Sequence, residues 1–313
     1  MRGRRRHDGT RIGAWSGVLR PARRATYASC GAAVTLPGQA WRLARFALNV
    51  GDLAASIDFY GHALGFTVAQ APAEDPGLAT LLGVTGLRSA RLRRGSQILE
   101  LCACDPAGAA MPDGSRSNDL WFQHCALVST DIAADYARLL HVAFTPVSRR
   151  GPQTLPGGIT AFKFRDPDGH PLELIGFPTP DPATLGGIDH SAISVADPER
   201  SIAFYASQLG LRVTARQRNQ GPAQDALDGL DDVAVDVVAL APAIASPHVE
   251  LLSYRRPPGR AGTIRPGDIA ASRLVFAPVA GPQNASVTLP AGGGVLRLLH
   301  DPDGHIVLLD GRA

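Results

Sequence analysis

The sequence predicts an α+β protein made of four copies of one strand–helix–three-strand module. Three observations carry this reading. First, Asp52–Val68 (DLAASIDFYGHALGFTV) returns as Asp197–Val213 (DPERSIAFYASQLGLRV), with eight of seventeen positions identical. Second, the pentapeptide DPDGH stands at Asp166–His170 and again at Asp301–His305. The two halves of the chain are therefore copies, near 41–180 and 186–313. Third, each half doubles again. Gln123–Leu140 has the shape of Asp189–Leu209, an alternating strand that runs into an aspartate and then an amphipathic helix. Self-similarity of this kind marks one supersecondary unit used repeatedly.

The elements follow in order. RFALNVGD (Arg45–Asp52) aligns with HSAISVAD (His190–Asp197) as the opening strand of a module. His124 precedes Asp131 by the same seven residues that separate His190 from Asp197. Asp131 and Asp197 read as helix N-caps, whose side-chain oxygens satisfy free backbone N–H groups. After Asp197, Ile202, Phe204, Tyr205 and Leu209 approximate the 3–4 spacing of an apolar helix face. β-type runs follow each helix, at 65–69, 87–92, 97–102, 160–164 and 249–254. The fourth module is worn: its first strand reads as Ser272–Ala277, and its helix is largely missing after Pro278. Polar stretches containing Gly or Pro at 106–118, 178–187 and 255–267 read as linkers.

Composition narrows the function classes. A chain of 313 residues, 45% hydrophobic, suffices for about two domains. No run of about twenty apolar residues exists, so no membrane-spanning helix is expected. The formal charge of +3 is uneven. Residues 1–30 hold eight arginines and one acid, which leaves the rest at a net charge of about −4. A core of that sign argues against nucleic-acid binding. The Arg-rich extension over 1–40 reads as a disordered arm, a start-site artefact or, by composition alone, a transit-type segment; it has no h-region of a secretory signal. Lys163 is the only lysine, and the dominance of arginine reads as compositional bias. Cys30, Cys102, Cys104 and Cys125 read as free thiols in a reducing cytoplasm, since the C-A-C of Cys102 and Cys104 is too tight for a C-x-x-C zinc pair.

Taken together, strand-one His before V-x-D, S-I-x-F-Y on the helix, L-G-F after it and the closing DPDGHPLEL (Asp166–Leu174) resemble the vicinal oxygen chelate superfamily. That group includes glyoxalase I, extradiol dioxygenases and bleomycin resistance proteins, and the resemblance covers about 41–313. It implies modules paired into two open-barrel domains, an N-terminal one over 41–180 with the metal site and a C-terminal one over 186–313 with a degenerate site. It further implies metal ligands from the first and last strands of paired modules. In the first half those positions hold Glu100, His124 and Glu173, with Arg45 where the family has His or Gln. Strand alternation agrees. Glu100 turns away from Leu99 and Leu101, Glu173 from Leu172 and Leu174, and His124 from Cys125. One imidazole and two carboxylates suit one divalent ion: Zn, Ni, Co, Mn or Fe.

Arg45 cannot ligate a metal. It either pairs with Glu100 or Glu173 and fills the site, or holds a substrate carboxylate beside the ion. In the second half His190 and Glu250 keep their positions, but Leu308 stands where Glu173 does, so that half reads as structural or as a partner surface. His170 and His305 read as turn scaffold. The implied function is a metal-dependent lyase or isomerase on a small carbonyl or vicinal-oxygen substrate, with Glu173 as base. An extradiol ring-cleaving dioxygenase and a metal-free binding or resistance protein are the alternatives. The expected partners are a small-molecule substrate, with no nucleic acid and no membrane, in a cytoplasmic monomer or homodimer.

Overall fold

A computed structural model describes residues 40–182, 184–242, 247–279 and 296–312. The Arg-rich extension, apart from its last residue, and the stretch after Pro278 where no helix is expected lie outside the described residues. Module one comprises β1 (Trp41–Asn49), α1 (Leu53–Leu64), β2 (Thr67–Glu74), α2 (Pro76–Leu82), β3 (Gly86–Arg94) and β4 (Gln97–Asp105). Module two comprises β5 (Gln123–Val128), α3 (Ile132–Leu139), β6 (Thr145–Pro146), β7 (Gln153–Thr154), β8 (Thr160–Arg165) and β9 (Pro171–Gly176). Module three comprises β10 (Ile188–Ser194), α4 (Pro198–Leu209), β11 (Arg212–Gln220), α5 (Pro222–Asp228), β12 (Ala234–Ala241) and β13 (His248–Arg256). Module four shows β14 (Arg273–Pro278), β15 (Leu296–His300) and β16 (Ile306–Asp310).

The helices start as their sequences dictate. The side chains of Asp52, Asp131 and Asp197 accept hydrogen bonds from the first-turn N–H groups of α1, α3 and α4. Gly65 and Gly210 close α1 and α4 in the left-handed conformation that glycine adopts at little cost. Two short helices escaped the sequence reading. Both α2 and α5 begin with proline in the first turn, where its missing N–H costs nothing.

The strands form two sheets. One runs β15-β16-β14-β1-β4-β3-β2 and the other β11-β12-β13-β10-β5-β9-β8-β6, with β7 added on β8. Modules one and four therefore share one sheet, and modules two and three share the other. This corrects the expected pairing of sequence neighbours within 41–180 and 186–313. The linkers explain the difference. The short connection 177–187 lets β10 lie antiparallel beside β5 in one sheet. The longer segments 106–122 and 257–272 instead cross from one sheet to the other, side by side. Leu120 N–H donates to Arg260 O, and Ile269 N–H donates to Ala109 O. Their approach is so close that a Cβ on Gly259 would sit 1.7 Å from Asn118 O.

One core joins the sheets. Leu99 and Leu101 of β4, Leu172 and Leu174 of β9 and Leu251 of β13 pack with Tyr60 and Tyr205 of the helices. The outer faces turn smaller clusters away from this core, Ala47, Cys102, Val275 and Leu308 on one sheet and Ala192 with Leu252 on the other. The DPDGH turns fasten the sheets. Tyr60 of α1 donates its hydroxyl to Asp166 Oδ2 at 2.8 Å. Asp166 also accepts from the His170 backbone N–H at 2.8 Å and faces His170 Nδ1 at 2.9 Å. Tyr205 and Asp301 repeat the contact at 3.4 Å, and His305 Nε2 donates to Ser194 O. His170 and His305 thus serve as the expected turn scaffold.

This latch ties stability to pH. Burial opposes charge on His170, yet Asp166 raises its pKa above 6.5. The His170 contribution is therefore full below about pH 6.5 and is lost as pH rises through the folded-state value. Burial likewise opposes ionisation of Asp166, but His170 and Tyr60 hold its pKa below 3.8, so that part is lost only on acidification below about pH 4. Urea unfolding across pH 5–9 should lose less stability on the alkaline side in His170→Gln than in the parent protein. Tyr60→Phe should cost about 1–2 kcal/mol at all of these pH values.

Candidate metal centre

The strand pairing assembles a site that no single half contains. Ala126 of β5 lies opposite Glu173 of β9, and Ala192 of β10 lies opposite Glu250 of β13. Across the seam, His124 faces Ala192 and Ala126 faces His190. Residues paired across neighbouring strands share a face of the sheet. His124, Glu173, His190 and Glu250 thus occupy one outer face, related by an approximate twofold axis through the seam.

The side chains converge. His124 Nε2 lies 3.0 Å from Glu173 Oε2, and His190 Nε2 lies 3.8 Å from the same oxygen. His190 Nε2 is also 3.5 Å from Glu250 Oε2. Ligand atoms of His124, Glu173 and His190 all fall within 4.8 Å of one another. Metal bonds of about 2.0–2.2 Å place neighbouring ligand atoms roughly 3.0–3.5 Å apart in tetrahedral or octahedral arrangements. The 3.0 Å and 3.5 Å separations fall on those edges, and the 3.8 Å one is slightly longer. A second feature fits too. His190 Nδ1 is 2.9 Å from Asp189 Oδ2, the carboxylate contact that fixes a ligating imidazole with its other nitrogen free. His124 Nδ1, in contrast, is buried and has no partner among the described residues, which leaves that ring incompletely satisfied.

Charge in the site is finely set. Burial disfavours an imidazolium at His190, but Glu250, Asp189 and Glu173 push its pKa up to about 9. Burial opposes ionisation of Glu250, and His190 with His248 nonetheless holds it down to about 2. The cluster therefore retains a proton in the place where a cation fits. His248 bridges the rim: it is partly exposed, with Nδ1 3.8 Å from Asp189 and Nε2 3.6 Å from Glu250 Oε1.

Lys163 completes the arrangement. It lies on β8 opposite Glu173, is 4% exposed, and donates from Nζ to Asp228 Oδ1 of α5 at 2.7 Å. Burial lowers its pKa, but Asp228 and Glu173 raise it further, so it stays an ammonium. Burial and this ammonium depress the His124 pKa, which keeps that imidazole neutral. Burial raises the Glu173 pKa, but His124 and Lys163 lower it more, which keeps the carboxylate ionised. Burial, the His124–Glu173 hydrogen bond and this buried cation together set both groups in the states that ligate metals.

The structure divides the set drawn from the sequence. It unites His124 and Glu173, and joins to them His190 and Glu250, whose half reads from the sequence as structural or as a partner surface. Glu100 and Arg45 lie in the other sheet. There Arg45 Nε donates to Glu100 Oε2 at 2.9 Å, and its Nη2 donates to Asp310 Oδ2 at 2.6 Å. The reason is the module pairing: Glu100 faces module four rather than module two. The sequence itself places both at the ligand positions of module three, His190 by the seven-residue spacing that locates His124 and Glu250 on the closing strand. Lys163 was marked only by being the single lysine.

A family model described as the Glyoxalase/Bleomycin resistance protein/Dioxygenase superfamily matches residues 42–174 and 187–308. Among solved structures, glyoxalase I from Zea mays is similar with a TM-score of 0.57 at 18% identity, over 88% of this chain and 93% of that one. A putative dioxygenase from Bacillus subtilis subsp. subtilis str. 168 is similar with a TM-score of 0.51 at 14% identity, over 87% of this chain and 85% of the other. At these identities the likeness is one of fold. No curated protein matches the sequence. Among the described residues, no helix is long and apolar enough to cross a membrane.

Removing one partner of a buried ion pair leaves the other charge uncompensated, at about 3–5 kcal/mol. Lys163→Met should therefore destabilise the protein by that order in urea unfolding. Lys163→Met combined with Asp228→Asn should recover part of the loss.

Proposed function

The chain belongs to the glyoxalase/bleomycin resistance protein/dioxygenase superfamily, and from that premise we propose that it is a divalent-metal-dependent enzyme of the lyase or isomerase type. Its substrate is a small carbonyl or vicinal-oxygen compound. The observation that carries the reading is the convergence of His124, Glu173 and His190 ligand atoms within 4.8 Å, with Glu250 beside His190. These four residues would hold the ion. A bound divalent ion supplies Lewis-acid chemistry, polarising substrate oxygens so that a proton on the neighbouring carbon becomes acidic.

The protein's own groups divide the remaining work. Asp189 orients His190 from behind and frees its Nε2. Glu173 is the proposed base. The approximate twofold symmetry is broken beside it, because Lys163 stands opposite Glu173 where Ala239 stands opposite Glu250. A fixed buried ammonium there favours anionic charge as it develops on the substrate. Burial of the donors keeps bulk water from competing.

A ring-cleaving dioxygenase is the second reading. Two imidazoles and one carboxylate meet the 2-His-1-carboxylate pattern of non-haem iron. The second glutamate weighs against it.

Metal analysis of the purified protein should give about one divalent ion per chain. His124→Ala and His190→Ala should lose it, whereas Glu100→Gln should retain it. Protein that stays empty after incubation with Ni, Zn, Co, Mn and Fe would sink the enzyme reading. Turnover is then tested on the hemithioacetal of methylglyoxal and glutathione, and on a catechol panel. Activity on catechols alone would favour the dioxygenase. On a productive substrate, Glu173→Gln should lower kcat by about 100-fold or more.

A further inference from the structure

The sheet formed by modules one and four repeats the geometry of the metal centre with different residues. Ala47 lies opposite Glu100 on one side and Arg273 on the other, while Arg45 lies opposite Val275, itself opposite Leu308. The four positions equivalent to the His and Glu cluster are therefore Arg45, Glu100, Arg273 and Leu308. Two guanidiniums replace two imidazoles.

We propose that this face holds a small oxyanion, a carboxylate or phosphate group, on the guanidinium of Arg273. The side chain is fully buried. Its Nη1 donates to Asn49 Oδ1 at 2.7 Å and to Ala271 O at 3.3 Å. Among the described residues its Nε and Nη2 have no acceptor at hydrogen-bond distance. Those two N–H bonds leave one edge of the guanidinium side by side, the fork that receives two oxygens of a carboxylate or phosphate. Leaving a buried charged donor unsatisfied is costly, so an acceptor belongs there.

Charge favours an anion over water. Glu100 accepts from both Arg45 and Arg91, and Asp310 accepts from Arg45 and Arg312. Asp75 is taken by Arg312. Among the described residues four guanidiniums thus meet three carboxylates, and Arg273 is the one in no ion pair. The Cys102 thiol lies against it as a weak hydrogen-bond partner but supplies no counter-charge. Burial pushes that thiol up to about 12, so it remains neutral.

The test is thermal unfolding of the full-length protein in sodium acetate, sodium phosphate or sodium chloride at matched ionic strength. In the parent protein Tm should climb with the logarithm of one oxyanion's concentration and not with chloride. Acetate and phosphate distinguish the two anion types. The same series on Arg273→Met separates this site from any anion held elsewhere, and its dependence should vanish. Where Arg273→Met fails to fold, Arg273→Lys, which keeps the charge but not the fork, should raise the half-saturating concentration by about tenfold or more. Equal Tm in all three salts overturns the proposal. So does an undiminished oxyanion response in Arg273→Met or Arg273→Lys.

Discussion

The antiparallel contact of β5 with β10 is the constraint on which the site depends. It is the one place where two modules of the same sheet meet strand to strand and each contributes an imidazole. A slip of one residue between them would put the two imidazoles on opposite faces, because strand side chains alternate. Small residues sit at the crossing. Ala126 and Ala192 are completely buried, and each lies between a histidine strand and a glutamate strand. A larger side chain there would fill the space into which the four polar groups lean. Ala47 holds the matching place in the other sheet.

The two sheets are one scaffold put to two uses. In both, the leucine-bearing face of each closing strand enters a common core, and the opposite face is free to vary. One outer face gathers imidazoles and carboxylates around a point. The other packs arginines and carboxylates into an ion-pair network, with α2 contributing Leu78 and Leu82 over the apolar remainder. Neither set is required by the fold, since Leu308 replaces a glutamate without loss of the strand. The chemistry is carried by substitutions on a repeat whose backbone tolerates both.

The modules, the helix caps and the alternation of Glu100, His124 and Glu173 were legible in the sequence, because each rests on local spacing. The pairing of modules was not. Strand exchange between modules is a long-range contact, and the repeats look alike whichever neighbour they join. The relevant clue was the contrast between the short segment at 177–187 and the longer crossings at 106–122 and 257–272. Reading sequence neighbours as partners moved Glu100 and Arg45 into a site they do not share, and moved His190 and Glu250 out of one they do. Lys163 stayed hidden for a related reason. Its partner Asp228 belongs to a different module, on a helix too short to stand out from its flanking glycines.

The isolation of Lys163 has a practical side. With every other basic side chain an arginine or a histidine, the folded chain carries its only lysine amine enclosed against Asp228. An amine-directed reagent meets no lysine on the surface. Acylation of this one residue would count the molecules in which the sheet of modules two and three has opened, and so turn a compositional accident into a built-in reporter of local unfolding.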